Sequence, residues 1–283
     1  MNRELEQVIM TAMDLPTIPV VATKVMEMVE CERTTTEMLA ETVANDPAVA
    51  ARILKLSNSA YYGCQKQIKT LSVAIMIIGF NTLRSLVVAA SVKQISNRFG
   101  LLEKMLWEHS FGAALAARII AGKGRLVNEE TAFLAGLFHD IGKVILNNHD
   151  QDKFQQVMEG CYNENAPFQD VERGIFGFSH TEVGALVIRK WNFPDAISTA
   201  VMHHHNFDTT HFADTYERYL TAVTSLANKF CQKFGVGERT CRADIQLATS
   251  SEAALLGINE AGMDDCVANF QENFEQTKQM FMS

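Results

Sequence analysis

The sequence predicts an all-α fold, and three observations carry that expectation. Five prolines interrupt 283 residues, so long stretches can stay helical. Apolar residues recur at three- and four-residue spacing, and the strong helix formers Ala, Leu, Met, Glu and Lys dominate the periodic segments. No segment shows the strict apolar–polar alternation of a half-buried strand.

Taken in order, Val20 to Glu30 places Val21, Val25, Met28 and Val29 on one helical face. Thr34-Thr-Thr-Glu37 starts the next helix, with a threonine cap and a carboxylate in the first turn. Met38, Leu39 and Val43 form its stripe, and Asn45-Asp-Pro47 ends it. Asp46 then caps a helix that Pro47 opens; it turns Val49, Ile53, Leu54 and Leu56 inward and stops near Asn58 to Gly63. Packed tyrosines at a helix end explain Asn58 to Tyr62 better than a ligand surface does. Leu71–Ile78 and Thr82–Ile95 follow, separated by Gly79-Phe-Asn81. Further helices are expected at Leu101–Ile120, Glu129–Asn147, Asp150–Tyr162, Ser179–Trp191, Asp195–His205 and Ala213–Phe234. The acidic C-terminal stretch carries amphipathic helices at Ile245–Leu256 and Met263–Met280.

Composition is that of an ordinary globular protein, 47% hydrophobic and 20% charged. No apolar run reaches the ~20 residues that span a bilayer, and the N-terminus lacks the basic-then-apolar order of a signal peptide; a cytoplasmic protein without membrane insertion is expected. Six cysteines with no Cys-x-x-Cys pair read as reduced thiols. A net charge of −8 argues against a nucleic-acid partner, because phosphate binding needs a positive surface. The thirteen methionines read as core filler.

The chemistry lies in the histidines. There are eight, none before a composition shift at residues 96–101. That shift separates an N-terminal helical subdomain (1–97) from a histidine-bearing helical subdomain (98–235), which a C-terminal helical extension (236–283) follows. Six histidines fall in four places: His109; His139, beside Asp140 in Phe133-Leu-Ala-Gly-Leu-Phe-His-Asp-Ile-Gly-Lys143; His180; and the triplet His203-His204-His205. Imidazole and carboxylate both ligate Zn, Mn or Fe, and adjacent residues can reach one ion. A buried His139–Asp140 ion pair that only holds a helix in place is the plainer alternative. Successive helical residues point ~100° apart, so at most two of the triplet can be ligands; alignment with the Ala196-Ile and Ala200-Val spacing ahead of them favours His204 and His205 over His203. His149 and His211 are expected in solvent. Lys143, one turn from His139, could face a substrate phosphate, or could cover apolar surface with its stem while the ammonium reaches water.

Residues 12–230 resemble the HDOD domain, a bacterial signalling module related to the HD and HD-GYP metal phosphohydrolases. The carrying motifs are Leu15-Pro-Thr-Ile-Pro19, Asn45-Asp-Pro47, Leu54-Lys-Leu-Ser-Asn-Ser-Ala60, Ala74-Ile-Met-Ile-Ile-Gly79, Gly136-Leu-Phe-His-Asp-Ile-Gly-Lys143, His180-Thr-Glu-Val-Gly184 and Trp191-Asn-Phe-Pro194. The resemblance implies an N-terminal helical bundle followed by an HD-type helical core. Carried over by position, it implies His109, His139, Asp140, His180, His204 and His205 as ligands of one or two divalent ions (Fe, Mn, Zn or Mg). Asp140 and Lys143 would be the catalytic residues if the site is active. Two departures weigh against ordinary HD-GYP catalysis. Asn228 stands where a final aspartate ligand is implied, and Asn206-Phe-Asp-Thr209 follows the histidine pair in place of Gly-Tyr-Pro. The resemblance therefore implies a signal-transduction protein that binds other signalling proteins or a small phosphorylated ligand. The alternative is a metal-dependent phosphohydrolase acting on a nucleotide or cyclic dinucleotide.

Overall fold

The computed structural model describes residues 3, 6, 9–10, 15–58, 68–95, 100–164, 166–212 and 214–282. Among them every regular element is a helix, as the periodicity predicts. Residues 59–62 of the tyrosine segment and 96–99 of the composition shift lie outside the described residues, as does the side chain of His211. The chain divides into two compact units. One comprises Ile18–Ile95 and Asp265–Ser283; the other comprises Met1–Thr17 and Ser96–Asp264.

The first unit contains α1 (Val20–Val29), α2 (Thr36–Ala44), α3 (Pro47–Ser57), α4 (Leu71–Ile78) and α5 (Phe80–Val92). Its helix starts follow local chemistry. The Thr35 hydroxyl accepts the Met38 N–H at 3.3 Å, and Asp46 Oδ1 accepts the N–H groups of Ala48 and Val49 at 3.0 and 3.1 Å. Helix α5 is the core element: Leu83 and the run Ser85 to Val92 are buried, and α1, α3 and α4 pack against it.

The second unit carries every histidine. Its helices are α6 (Leu101–Gly124), α7 (Glu129–Phe138), α8 (Ile141–His149), α9 (Gln151–Glu164), α10 (Phe168–Phe176), α11 (His180–Lys190), α12 (Asp195–His203), α13 (Thr215–Phe234) and α14 (Ser251–Leu256). A last helix, α15 (Glu260–Met282), begins here and belongs to the first unit from Asp265 onward. Helices α6 and α7 pack closely because Gly136 admits the α6 backbone: a Cβ there would lie 2.5 Å from the Ala113 carbonyl oxygen. The Leu15-Pro16 segment is tied to the end of α11, where Lys190 Nζ donates to Leu15 O at 2.6 Å and Trp191 Nε1 donates to Pro16 O at 2.9 Å. Buried Glu252 fastens α14 to α13, accepting from Ser225 Oγ at 2.8 Å and Lys229 Nζ at 2.6 Å.

The helix expected over Ile245–Leu256 begins only at Ser251, and three other departures from the sequence expectation bear on the histidines. The single helix expected over Glu129–Asn147 is broken at His139-Asp140 into α7 and α8. Helix α12 stops at His203, leaving His204 and His205 in a turn. The short helix α10 lies between the helices expected over Asp150–Tyr162 and Ser179–Trp191. Among the described residues, no single helix is long and apolar enough to cross a membrane.

Candidate metal centre

The break between α7 and α8 frees two adjacent residues from the ~100° rotation of a continuous helix. Asp140, with φ −108° and ψ 12°, therefore points into the unit beside His139. The turn after α12 does the same for His204 and His205. His109 arrives from the middle of α6, His180 is the first residue of α11, and Asn228 comes from α13. Gly142 is what lets α8 and α11 meet: a Cβ on it would fall on the His180 carbonyl oxygen. His109, His139, Asp140, His180 and His204 are all buried, and His205 is partly buried.

Asp140 is the hub. Its Oδ2 lies 3.3 Å from His139 Nε2 and 3.7 Å from His109 Nε2. Its Oδ1 lies 3.3 Å from His180 Nε2 and 3.7 Å from His204 Nε2. His180 Nε2 and His205 Nε2 are 3.1 Å apart. Two overlapping donor sets result, each closing to within 4.8 Å: His109, His139 and Asp140; and Asp140, His180, His204 and His205.

The far side of each ring fixes what the near side offers. His139 Nδ1 lies 2.7 Å from Gly136 O, His204 Nδ1 2.8 Å from Val201 O and His109 Nδ1 2.9 Å from Val236 O. His180 Nδ1 lies 2.6 Å from Glu172 Oε2. Carbonyls and carboxylates only accept, so in all four rings Nδ1 donates. In each neutral ring the lone pair then sits on Nε2, facing Asp140. Such outer acceptors are the usual orienters of metal-bound histidine. Asp140 Oδ1, His139 Nε2 and His204 Nε2 are buried without hydrogen-bond partners. Asn228 Oδ1 lies 3.1 Å from His109 Nε2. Two acceptors facing each other at that distance need a cation between them, or the amide turned over so that its NH₂ donates.

The electrostatics match this geometry. Burial pushes His139 down and His204 to about 3. Burial also holds His205 well below its ordinary value, with His204, His180 and Lys143 adding to the effect. These rings therefore stay neutral and able to ligate. Burial alone would raise the Asp140 carboxyl, but His139 and Lys143 outweigh it and hold Asp140 well below the usual carboxylate range. Neutral imidazoles around an ionised carboxylate form a nitrogen–oxygen set that could hold a divalent metal.

Lys143 does not lead its ammonium into water. Its side chain is buried, Nζ donates to Asp140 Oδ2 at 2.7 Å, and the Phe168 ring covers Nζ at 4.4 Å from its centroid. His203 lies outside the cluster with its ring edge-on to Phe212, and His149 is exposed. The sequence reading missed Glu172. It is fully buried, and its Oε2 accepts both the His180 backbone N–H at 2.9 Å and the ring Nδ1–H. A signal was present: Phe168, Val171, Ile175 and Phe176 mark the apolar face of α10, and Glu172 falls in the middle of it.

The comparisons with known proteins agree with the fold. The family model of the HDOD domain matches residues 15–207. A crystal structure of an HDOD domain protein of unknown function from Geobacter sulfurreducens superposes with a TM-score of 0.80 at 23% identity, covering 98% of this chain and 96% of that one. A Shewanella amazonensis protein, provisionally assigned as a phosphohydrolase, gives 0.76 at 22% identity, covering 99% and 98%. An uncharacterized protein of Treponema pallidum is 22% identical over 213 residues, which is 74% of this chain but only 41% of that protein's length.

Proposed function

Because the chain belongs to the HDOD domain family, we propose that it is a bacterial signal-transduction module whose histidine-bearing unit binds divalent metal. Its partners in this reading are other signalling proteins or a small phosphorylated ligand met in the cytoplasm. The observation that carries the metal reading is the convergence of Nε2 atoms on Asp140 while Nδ1 is tied back in four rings. His109, His139, Asp140, His180, His204 and His205 would hold one or two ions, with Mn, Fe and Zn suited to the donor set and Mg less so. A bound ion would supply Lewis-acid charge and an acidified water. The protein's own part is to keep the rings neutral, fix their tautomers and exclude bulk water from Asp140.

Two features favour a binding role over turnover. Asn228 supplies an uncharged amide where the family resemblance implies a carboxylate, so less of an ion's charge would be neutralised there. Lys143 holds Asp140 Oδ2 at 2.7 Å. The second reading, a metal-dependent phosphohydrolase acting on a nucleotide or cyclic dinucleotide, is favoured by the gathering of all six implied ligands, and by likeness to the Shewanella protein. In that case Asp140 would anchor the ions and Lys143 would bind a substrate phosphate. A substrate screen separates the two. Protein loaded anaerobically with Mn²⁺, Fe²⁺ or Zn²⁺ should show no hydrolysis of nucleotides, cyclic dinucleotides or bis(p-nitrophenyl) phosphate above that of the His139→Ala/Asp140→Ala variant. Turnover abolished by that double substitution would make the protein an enzyme.

A further inference from the structure

The two halves of the cluster differ in ways that a chemically symmetric two-ion site would not show. On the Oδ2 side, Asp140 already has a cation partner in Lys143 at 2.7 Å. His139 is backed there only by the neutral carbonyl of Gly136, and His109 donates to the carbonyl of Val236 with the partly exposed Glu238 carboxylate 3.6 Å from the same nitrogen, beyond hydrogen-bond distance; the remaining donor is the amide of Asn228. On the Oδ1 side, the carboxylate oxygen is buried and has no hydrogen-bond partner. It faces His180, His204 and, through His180, His205. The ring of His180 is backed by the buried carboxylate of Glu172.

A carboxylate behind an imidazole raises the electron density at the opposite nitrogen and adds a negative charge near a bound cation; a backbone carbonyl supplies neither a full charge nor the same basicity. Glu172 is also firmly placed. Its Oε2 accepts two N–H groups of the same residue, so both the rotation and the tautomer of His180 are set before any ion arrives. Its Oε1 is buried without a hydrogen-bond partner.

We propose that the cluster is intrinsically unequal: the first ion is taken by Asp140 Oδ1, His180, His204 and His205, with Glu172 as the positioning residue that makes this half the tight one. The His109–His139–Asn228 half is then a weak second position, with the carboxylate oxygen it would use engaged by Lys143. This inference rests on the metal reading of the preceding section and adds to it an order of filling and a residue that touches no ion.

The test is a titration of the metal-free full chain with Mn²⁺, free ion being read by electron paramagnetic resonance. In the parent, the tight constant belongs to one ion per chain. Glu172→Gln keeps the side chain's shape and a hydrogen-bond acceptor but loses the charge. It is expected to weaken the tight ion by about 10- to 100-fold with little change in the melting temperature of the metal-free protein. His109→Ala is expected to leave the tight constant unchanged. An unchanged tight constant in Glu172→Gln, or an equal loss in His109→Ala, overturns the inference while leaving metal binding itself intact. A parent that binds no Mn²⁺, Fe²⁺ or Zn²⁺ overturns the metal reading and this inference with it. Should Glu172→Gln not fold, His180→Ala decides the point against His109→Ala: the former must lose the tight ion and the latter must keep it.

Discussion

Lys143 Nζ lies 2.7 Å from Asp140 Oδ2, one helical turn away, and both side chains are buried. Burial alone would lower the Lys143 ammonium; the Asp140 charge outweighs it and raises Lys143 above the ordinary lysine value. The pair is therefore ionised on both sides and holds the start of α8 against the break that exposes the His139–Asp140 step. Removing one partner strands the other. Asp140→Asn is expected to destabilise the metal-free protein by about 3–5 kcal/mol, and adding Lys143→Met should recover most of that loss. Urea unfolding of the two single variants and the double variant measures the coupling.

Stability should fall on mild acidification because of the buried neutral rings. His204 titrates at about 3 when folded against 6.5 ordinarily, so the unfolded chain takes up its proton first. Its contribution is whole above pH 6.5 and is lost as pH falls toward 3. A slope of about 1.4 kcal/mol per pH unit gives a loss of about 2 kcal/mol by pH 5. The lowered His139 and His205 act in the same direction. Asp140, held below its usual range, adds its own loss only below about pH 4. Unfolding curves at pH 7.5 and 5.0 should show the drop, and His204→Gln should reduce it.

Asn228→Asp should tighten the weak half of the cluster. A carboxylate 3.1 Å from His109 Nε2 would neutralise an ion's charge where the amide cannot, and about tenfold tighter binding is the expected scale. Calorimetric titration of the second ion reads it. An unchanged second constant would mean that Asn228 lies off the ion's path.

Two glycines of the second unit should behave oppositely. Gly142→Ala drives a methyl group into the His180 carbonyl. Because backbone rather than a flexible side chain stands in the way, a loss of at least about 3 kcal/mol is expected, the top of the ordinary overpacking range, with loss of metal binding. Gly174 sits in α10 with nothing within 4 Å of a Cβ, so Gly174→Ala should gain about 0.5–1 kcal/mol of helix stability. Thermal melts of the two variants test the contrast.

Much of the centre was legible because ligand types are rare and cluster along the chain. His139-Asp140 announces itself in an apolar run, and the triplet stands out as a run of one rare residue type. What was not legible depended on backbone breaks. A continuous Glu129–Asn147 periodicity conceals the interruption at His139-Asp140, since the apolar spacing resumes in α8 almost in phase. Glu172 was hidden for another reason: a carboxylate on a short amphipathic helix reads as solvated until a partner 8 residues on turns out to be folded against it. Of the two readings of Lys143, a buried stem with its ammonium in water is the ordinary lysine habit, and the enclosed Asp140 charge overrides it.

The most direct test of the central claim is elemental analysis of metal per chain. Freshly purified protein and anaerobically Mn-, Fe- or Zn-loaded protein would be measured beside the His139→Ala/Asp140→Ala variant, with folding checked by circular dichroism. One or two ions in the parent and none in the folded variant is the predicted result. A folded parent that stays metal-free after loading would contradict the account and leave the histidine cluster as a purely structural polar core.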